Sequence, residues 1–159
     1  MKNSIFMLLR WLTVALAVVL LLGMYRQDKL STADMETVQT AVLAELDLTN
    51  MQEAESSRMR RLYALNPADY EACLLYSPKT NMEAEELLLV KLRDAEQQEV
   101  VLSAIEARLA TQKTSFEGYG VEQTELLTDY AVVEARGNYI LFVVNRNSAQ
   151  ARRAFLDAL

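Results

Sequence analysis

Three carboxylates stand close together in this chain, at Glu83, Glu85 and Glu86. Carboxylates can act as general acids or bases, or bind a metal ion, when a cleft shifts their pKa. No residue of another ligand type is spaced to complete a metal site with them. We therefore interpret the cluster as a solvated acidic segment at the beginning of a strand.

The other usual catalytic side chains are scarce. The chain has no histidine and a single cysteine, Cys73. This composition excludes Ser-His-Asp triads, His-activated thiols and His-ligated zinc, and it excludes an internal disulfide. Cys73 lies in the apolar stretch 72–76, which indicates a buried, inert thiol. We predict no catalytic residue, no cofactor and no metal site.

Two turns carry the side chains that we consider for contact with a partner. Tyr119 lies between two glycines in the segment 116–120, which forms either a ligand-binding loop or, as we favour, a helix terminator with glycine at positive φ. Arg136 and Tyr139 flank Gly137-Asn138, a pair that suits a primed hairpin turn. The weak partner-contact candidates are therefore Tyr119, Arg136 and Tyr139.

The elements that position these residues follow from hydrophobic periodicity and turn signals. The polar segment 49–57 reads as a loop or as the start of a second helix. Alternating helices and paired strands predict an α+β fold, in the order α-β-β-α-β-β-α, with helices packed on an antiparallel sheet. The three helices of this order are 34–47, 94–116 and 148–158, and a further short helix is predicted at 121–128. The predicted strands are 70–76, 87–93, 130–136 and 139–145.

One predicted strand is apolar on both faces. Residues 139–144 are all apolar or aromatic, so each face needs a cover. We expect the long helix to cover one face through Val101, Ile105 and Leu109, and the last helix to cover the other through Phe155. With both faces covered inside the chain, the soluble domain is expected to be a monomer.

The N-terminal segment predicts a membrane anchor. Residues 5–25 carry one charge, Arg10, and Trp11 and Tyr25 stand at the ends of the uninterrupted apolar run. A cleaved signal peptide is the rival interpretation, but no A-x-A cleavage pattern follows the run. We predict a single-pass signal anchor at 1–26, a polar tether at 27–33 and an extracytoplasmic domain at 34–159, with the N-terminus in the cytoplasm.

Charge is unevenly distributed along the chain. The net charge is −6, yet residues 1–30 hold four basic side chains and one acidic side chain, which gives +3. The remainder therefore carries −9. Because an acidic domain repels a phosphate backbone, nucleic acid is excluded as a partner.

Four stretches of the chain carry a resemblance to a known family. They are RLYALNPADYEACLLYSP (61–78), NMEAEELLLVKLRD (81–94), QKTSFEGYG (112–120) and RGNYILFVV (136–144). The region 61–155 resembles an uncharacterised family of bacterial envelope proteins, domain of unknown function 4358. The resemblance implies an extracytoplasmic domain behind a lipoprotein signal or an anchor. This chain has Met24 where the lipoprotein version would have a lipidated cysteine.

The resemblance supplies no catalytic residue, because the family has no established activity. It implies a genomic association with membrane-bound O-acyltransferases, and through it a role in modifying cell-surface polymers. The sequence therefore favours a non-enzymatic accessory or interaction protein of the cell envelope, with an envelope protein as partner. The alternative is an envelope enzyme that uses carboxylate or tyrosine chemistry.

Overall fold

The computed structural model describes residues 30–118 and 120–159. The predicted anchor at residues 1–26, and residues 27–29 of the predicted tether, lie outside these residues. Within the described ranges, no helix combines the length and the hydropathy that crossing a bilayer requires.

Helices and strands alternate along the described chain much as the periodicity predicts. A 3₁₀ turn at Pro67–Asp69 precedes the second strand. The helices are α1 (Met35–Ala44), α2 (Ser56–Tyr63), α3 (Gln97–Phe116), α4 (Val121–Asp129) and α5 (Ser148–Asp157), and the strands are β1 (Met51–Glu53), β2 (Ala72–Pro78), β3 (Glu86–Lys91), β4 (Ala131–Arg136) and β5 (Tyr139–Val144).

The five strands form one sheet in the order β1-β2-β3-β5-β4, and every neighbouring pair is antiparallel. The predicted α+β fold with an antiparallel sheet is therefore confirmed. The two most completely buried strands, β3 and β5, are neighbours inside the sheet, where Leu89 lies opposite Leu141. Central strands need apolar residues on both faces because both faces are covered.

Helices cover the sheet on both sides. Alternation along β5 sends Phe142 to one face and Leu141 to the other. The Phe142 face packs against α2, α3 and α4, including Val101 and Ile105 of α3. The Leu141 face packs against α1 and α5, including Phe155. All six residues of β5 are buried, which confirms that the chain itself covers both faces of this strand.

The structure adds one strand that the sequence analysis did not assign. The segment 49–57, interpreted as a loop or a helix start, contains β1, which pairs with the end of β2, and then the first residues of α2. Only Met51 of this strand is buried, while Gln52 and Glu53 are exposed. Three residues at a sheet edge are too few to show an alternating pattern.

Glycine sets the geometry of the two turns that carried the candidate residues. Gly118 has φ +88°, so the segment after α3 ends the helix, as favoured above. In the β4–β5 turn Gly137 has φ +58°, whereas Asn138 does not adopt a positive φ. Glycine at the first central position with only one positive φ is the pattern of a type II′ turn.

Candidate functional site

The charged residue most deeply buried in the described chain is Glu86, the first residue of β3, whose side chain is 0% exposed. Arg108 of α3 donates to both carboxylate oxygens, from Nε to Oε1 at 3.3 Å and from Nη2 to Oε2 at 2.8 Å. A two-point guanidinium–carboxylate contact of this kind fixes geometry as well as charge. Glu86 and Arg108 thus form a buried ion pair between sheet and helix.

Two neutral side chains complete the hydrogen bonding of Glu86. The Tyr63 hydroxyl, at the end of α2, donates to Oε1 at 2.6 Å. Gln112, one helical turn beyond Arg108, donates from Nε2 to Oε2 at 2.9 Å. The Glu86 network, defined as Glu86, Arg108, Tyr63 and Gln112, therefore joins α2, β3 and α3. A buried carboxylate requires such partners, because its desolvation is costly.

Electrostatics within the network favour a protonated tyrosine. Burial raises the pKa of Tyr63 well above its ordinary value, and the neighbouring charge of Glu86 raises it further. The ring of Tyr63 also packs edge-on against Phe142, with centroids 6.5 Å apart. Gln112 Oε1 is buried and meets no donor in the part of the chain that the structure describes. The network thus holds Tyr63 as a hydrogen-bond donor within the core.

The interpretation of the carboxylate cluster as a solvated segment is wrong for Glu86. Side chains alternate across the sheet, and Glu86 shares the face of Leu88 and Val90, which is covered by α2, α3 and α4. The sequence did contain a signal, since Arg108 lies on the helical stripe that includes Val101 and Ile105. A basic residue on an apolar stripe favours an acidic partner at the same face.

The three carboxylates do not converge on one point. Glu83 accepts a hydrogen bond from the backbone of Thr80 in its own loop. Glu85 accepts from the side-chain amides of Asn50 and Asn145. Glu86 points into the core. Among the described residues, no group of three carboxylate, cysteine or histidine side chains is arranged to hold a metal ion.

Glu85 is a partly buried carboxylate near the surface whose pKa is raised. Partial burial raises its pKa above the ordinary value, the hydrogen bond from Asn50 opposes this shift, and the charges of Asp47 and Glu83 add to it. Asn145 is itself buried and also donates to the carbonyl of Asp47 at 3.2 Å. A partly exposed carboxylate with a raised pKa can exchange a proton with solvent.

The partner-contact candidates of the hairpin have internal contacts. Tyr139 is fully buried, and its hydroxyl donates to the carbonyl of Ala33 at 2.8 Å, so no part of its side chain remains to meet another molecule. Arg136 is partly exposed and pairs with Glu134 at 3.2 Å. Tyr119 lies outside the described residues. Burial of Tyr139 follows from its place in a central strand, which outweighs its position beside a turn.

The same turn contacts the segment before α1. Asn138 Oδ1 accepts a hydrogen bond from the backbone N–H of Ser31 at 2.8 Å. The end of the predicted tether, residues 31–33, therefore lies against the β4–β5 turn. Sequence reasoning missed this contact because it joins residues 107 positions apart.

Cys73 has the environment of an inert thiol. It is partly buried against the core on the Glu86 side of the sheet. Burial raises the pKa of the Cys73 thiol to about 12. Because the thiolate is the nucleophilic form, a thiol with this pKa is unreactive near neutral pH.

Comparisons with known proteins place the chain in a family. The model of a domain of unknown function (DUF4358) matches residues 44–145, which is more than half of the 159 residues. The match includes the whole Glu86 network and the β4–β5 turn. No curated protein and no solved structure matches the chain. The chain therefore belongs to the domain of unknown function 4358 family.

Proposed function

We propose that this chain is a membrane-anchored, extracytoplasmic interaction domain of the bacterial cell envelope, which acts by binding an envelope protein. The observation that carries the binding role is a pair of exposed apolar side chains at one end of the sheet. Met82, in the β2–β3 loop, is 65% exposed, and Val121, at the start of α4, is 84% exposed. Exposed apolar residues that lie together mark surfaces for protein contact.

A hydrogen bond joins the two segments that carry these residues. The backbone N–H of Ala84 donates to Oε1 of Gln123 at 3.0 Å. Each of these residues is two positions beyond an exposed apolar residue, so the loop and the helix start lie side by side. We call this region the Met82–Val121 surface.

Charges beside the surface indicate what a partner would carry. Glu122 and Glu125 of α4 are largely exposed, and both approach Arg146. Glu83 borders the surface from the loop. Exposed pairs of this kind add little stability, but they select partners by charge. A partner with an apolar contact residue and basic neighbours would complement this end of the domain.

The membrane part of the proposal depends on residues 5–25. An apolar run of this length with interfacial aromatics supports a single-pass anchor, and the short basic N-terminal tail supports an extracytoplasmic domain. In that location the domain would act on other envelope proteins. The genomic association that the family resemblance implies supports a partner among proteins that modify surface polymers.

The alternative is an envelope enzyme, and one observation favours it. Glu85 is partly buried, carries a raised pKa and remains close to solvent. General acids often have these properties. Asn50 and Asn145 account for the same environment structurally, since both donate to the carboxylate. We therefore retain the binding role as the conclusion.

Cross-linking of the full chain in membranes tests the proposal. The double variant M82S/V121S should reduce recovery of an identified envelope partner at least tenfold, because it removes the apolar contact. The matched control is Val100→Ser, which changes an apolar residue of α3 that is 56% exposed. It should leave recovery unchanged. Equal recovery with all three proteins would exclude the Met82–Val121 surface as the binding site.

The enzyme alternative has a separate test. Glu85→Ala in a strain that depends on this gene should leave the envelope polymer unchanged if the domain only binds. Loss of the polymer modification by a protein that keeps its melting temperature and its partner would favour catalysis.

A further inference from the structure

Ser31, just before α1, makes three hydrogen bonds, two of them to distant parts of the domain and one within its own segment. The backbone N–H of Ser31 donates to Oδ1 of Asn138 at 2.8 Å. The Ser31 hydroxyl donates to the carbonyl of the last residue, Leu159, at 3.0 Å, and accepts from the N–H of Ala33 at 3.1 Å. A flexible tether would make no such set of bonds. Residues 31–33 therefore belong to the folded domain.

The carbonyl of Ala33 forms the centre of a second group of contacts. It accepts from the Tyr139 hydroxyl at 2.8 Å and from Lys91 Nζ at 3.1 Å. Lys91 Nζ forms an ion pair with Glu71 Oε1 at 2.8 Å, which orients the lysine. The same nitrogen lies 5.5 Å from the centre of the Tyr139 ring. The ring of Tyr139 also packs edge-on against Phe155. Both donors are thus fixed before they meet the segment.

We propose that Asn138, Tyr139 and Lys91 form a latch on residues 31–33, which turns one end of the domain towards the lipid bilayer. The inference rests on the proposed function, because it takes residues 5–25 as the anchor. The bilayer-facing surface would be the end of the sheet that carries the β4–β5 turn. The Met82–Val121 surface would face away from the membrane.

Chain length gives the scale of this arrangement. Ser31 is five positions beyond Arg26, and at about 3.5 Å per position the two residues can be at most roughly 18 Å apart. The turn end of the sheet therefore lies within about that distance of the membrane surface. The six residues of β5 extend about 20 Å further, at roughly 3.3 Å per residue, towards the opposite end.

Two exposed residues at the turn end suit a membrane interface. Leu30 is 69% exposed and directly precedes the latched segment. Arg93 is exposed just beyond the end of β3, where the N–H of the preceding Leu92 donates to the carbonyl of Asn138 at 2.7 Å. An apolar and a basic side chain at the same end of a domain suit the boundary between acyl chains and head groups.

Fluorescence quenching on the full chain in lipid vesicles tests the orientation. Probes are attached at Arg93→Cys or at Lys79→Cys, in a Cys73→Ala background, and quenched by nitroxides on the lipid head groups. Lys79 lies at the end of β2 away from the turn. The probe at position 93 should be quenched at least twofold more than the probe at position 79. Equal or reversed quenching in vesicle-bound protein would overturn the orientation.

Hydrogen exchange tests the latch itself. The Ser31 amide should exchange at least tenfold faster in Asn138→Ala, which removes the acceptor, than in wild type. Asn138→Asp keeps an acceptor oxygen and should keep the slow exchange. In Asn138→Ala the quenching ratio of the two probes should also fall towards one. Unchanged exchange in Asn138→Ala would overturn the latch.

Flotation with the vesicles separates this inference from the proposed function. A chain that does not float contradicts the anchor, and with it the bilayer-facing surface, while Ser31 exchange still decides the latch. A chain that floats, with equal quenching of the two probes, contradicts the orientation alone. Partner recovery through the Met82–Val121 surface is read independently of either result.

Discussion

Removal of Arg108 should destabilise the domain severely. In Arg108→Met, Glu86 keeps its buried position but loses the guanidinium that donates to both of its oxygens. Tyr63 and Gln112 remain as neutral donors. Breaking a buried ion pair by removing one partner typically costs about 3–5 kcal/mol, since the other charge stays desolvated. Because Glu86 is fully buried, we expect a cost in this range.

Substitution of the acidic partner, Glu86, should cost less stability than substitution of Arg108. Glu86→Gln leaves Arg108 without its charged partner, but the Arg108 side chain is 14% exposed. A long guanidinium side chain can shift its head towards water, which a side chain at the start of a central strand cannot do. We expect a loss of about 1–3 kcal/mol for Glu86→Gln. The two single variants should thus differ, and the double variant should cost less than their sum.

Urea denaturation of the fragment 30–159 measures these differences. For a domain of this size the free energy of unfolding changes by about 1–3 kcal/mol per molar urea, so a loss of 4 kcal/mol shifts the midpoint by about 2 M. Arg152→Met is the matched control, because Arg152 pairs with Glu134 at 2.7 Å in a half-exposed position. That control should cost less than about 1 kcal/mol.

Two results would refute this reasoning. One is an Arg108→Met midpoint within about 0.5 M of wild type, because even the steepest slope would turn a loss of about 3 kcal/mol into a shift of about 1 M. The other is additivity of Glu86→Gln and Arg108→Met. Either would mean that solvent reaches Glu86 in solution and that the pair is not a buried one.

Four further predictions concern the core and the turns. Phe142→Ala should cost about 3–5 kcal/mol in urea denaturation, since both faces of β5 are buried, and should leave the sedimentation mass monomeric. Burial raises the pKa of Cys73 from 9.0 to about 12, so stability should fall as pH rises from about 9 to 12, and Cys73→Ala should reduce that fall in urea midpoints. Ala64→Gly should raise the melting temperature, because Ala64 ends α2 at φ +55°, where a Cβ costs about 1 kcal/mol. Gly120→Ala should lower the melting temperature, because a Cβ there would lie 2.7 Å from the Phe116 ring.

Much of the fold could be predicted because its signals are local. The hairpin follows from Gly137-Asn138 between two apolar runs, and the burial of β5 follows from six apolar residues in succession. Boundaries were less certain. The helix α3 begins at Gln97, whereas the capping pattern predicts that it begins at Asp94. The two residues still make the predicted contact, because Gln97 Oε1 accepts a hydrogen bond from the Asp94 N–H at 3.3 Å.

The polar contacts were harder to predict because they join distant parts of the chain. Glu86 and Arg108 are 22 residues apart, and Ser31 and Asn138 are 107 apart. A sequence shows that Glu86 begins a strand, but the face that it takes depends on register, and one residue of slip would reverse it. Tyr139 was misjudged for a similar reason, since its neighbour Asn138 is in the turn while Tyr139 is in the central strand.

The two polar clusters occupy opposite ends of the same central strands, and they define a direction for the domain. Glu86 lies opposite Val144 at one end, and Lys91 lies opposite Tyr139 at the other. The first cluster joins the sheet to α3, and the second joins it to residues 31–33. The family match, residues 44–145, contains Lys91, Asn138 and Tyr139 but stops short of the segment that they hold. The residues that hold the segment thus lie within the family match, whereas the segment itself, residues 31–33, lies before it, on the side of the proposed anchor. A domain built in this way can fix its orientation through the turn end and leave the Met82–Val121 end free to bind.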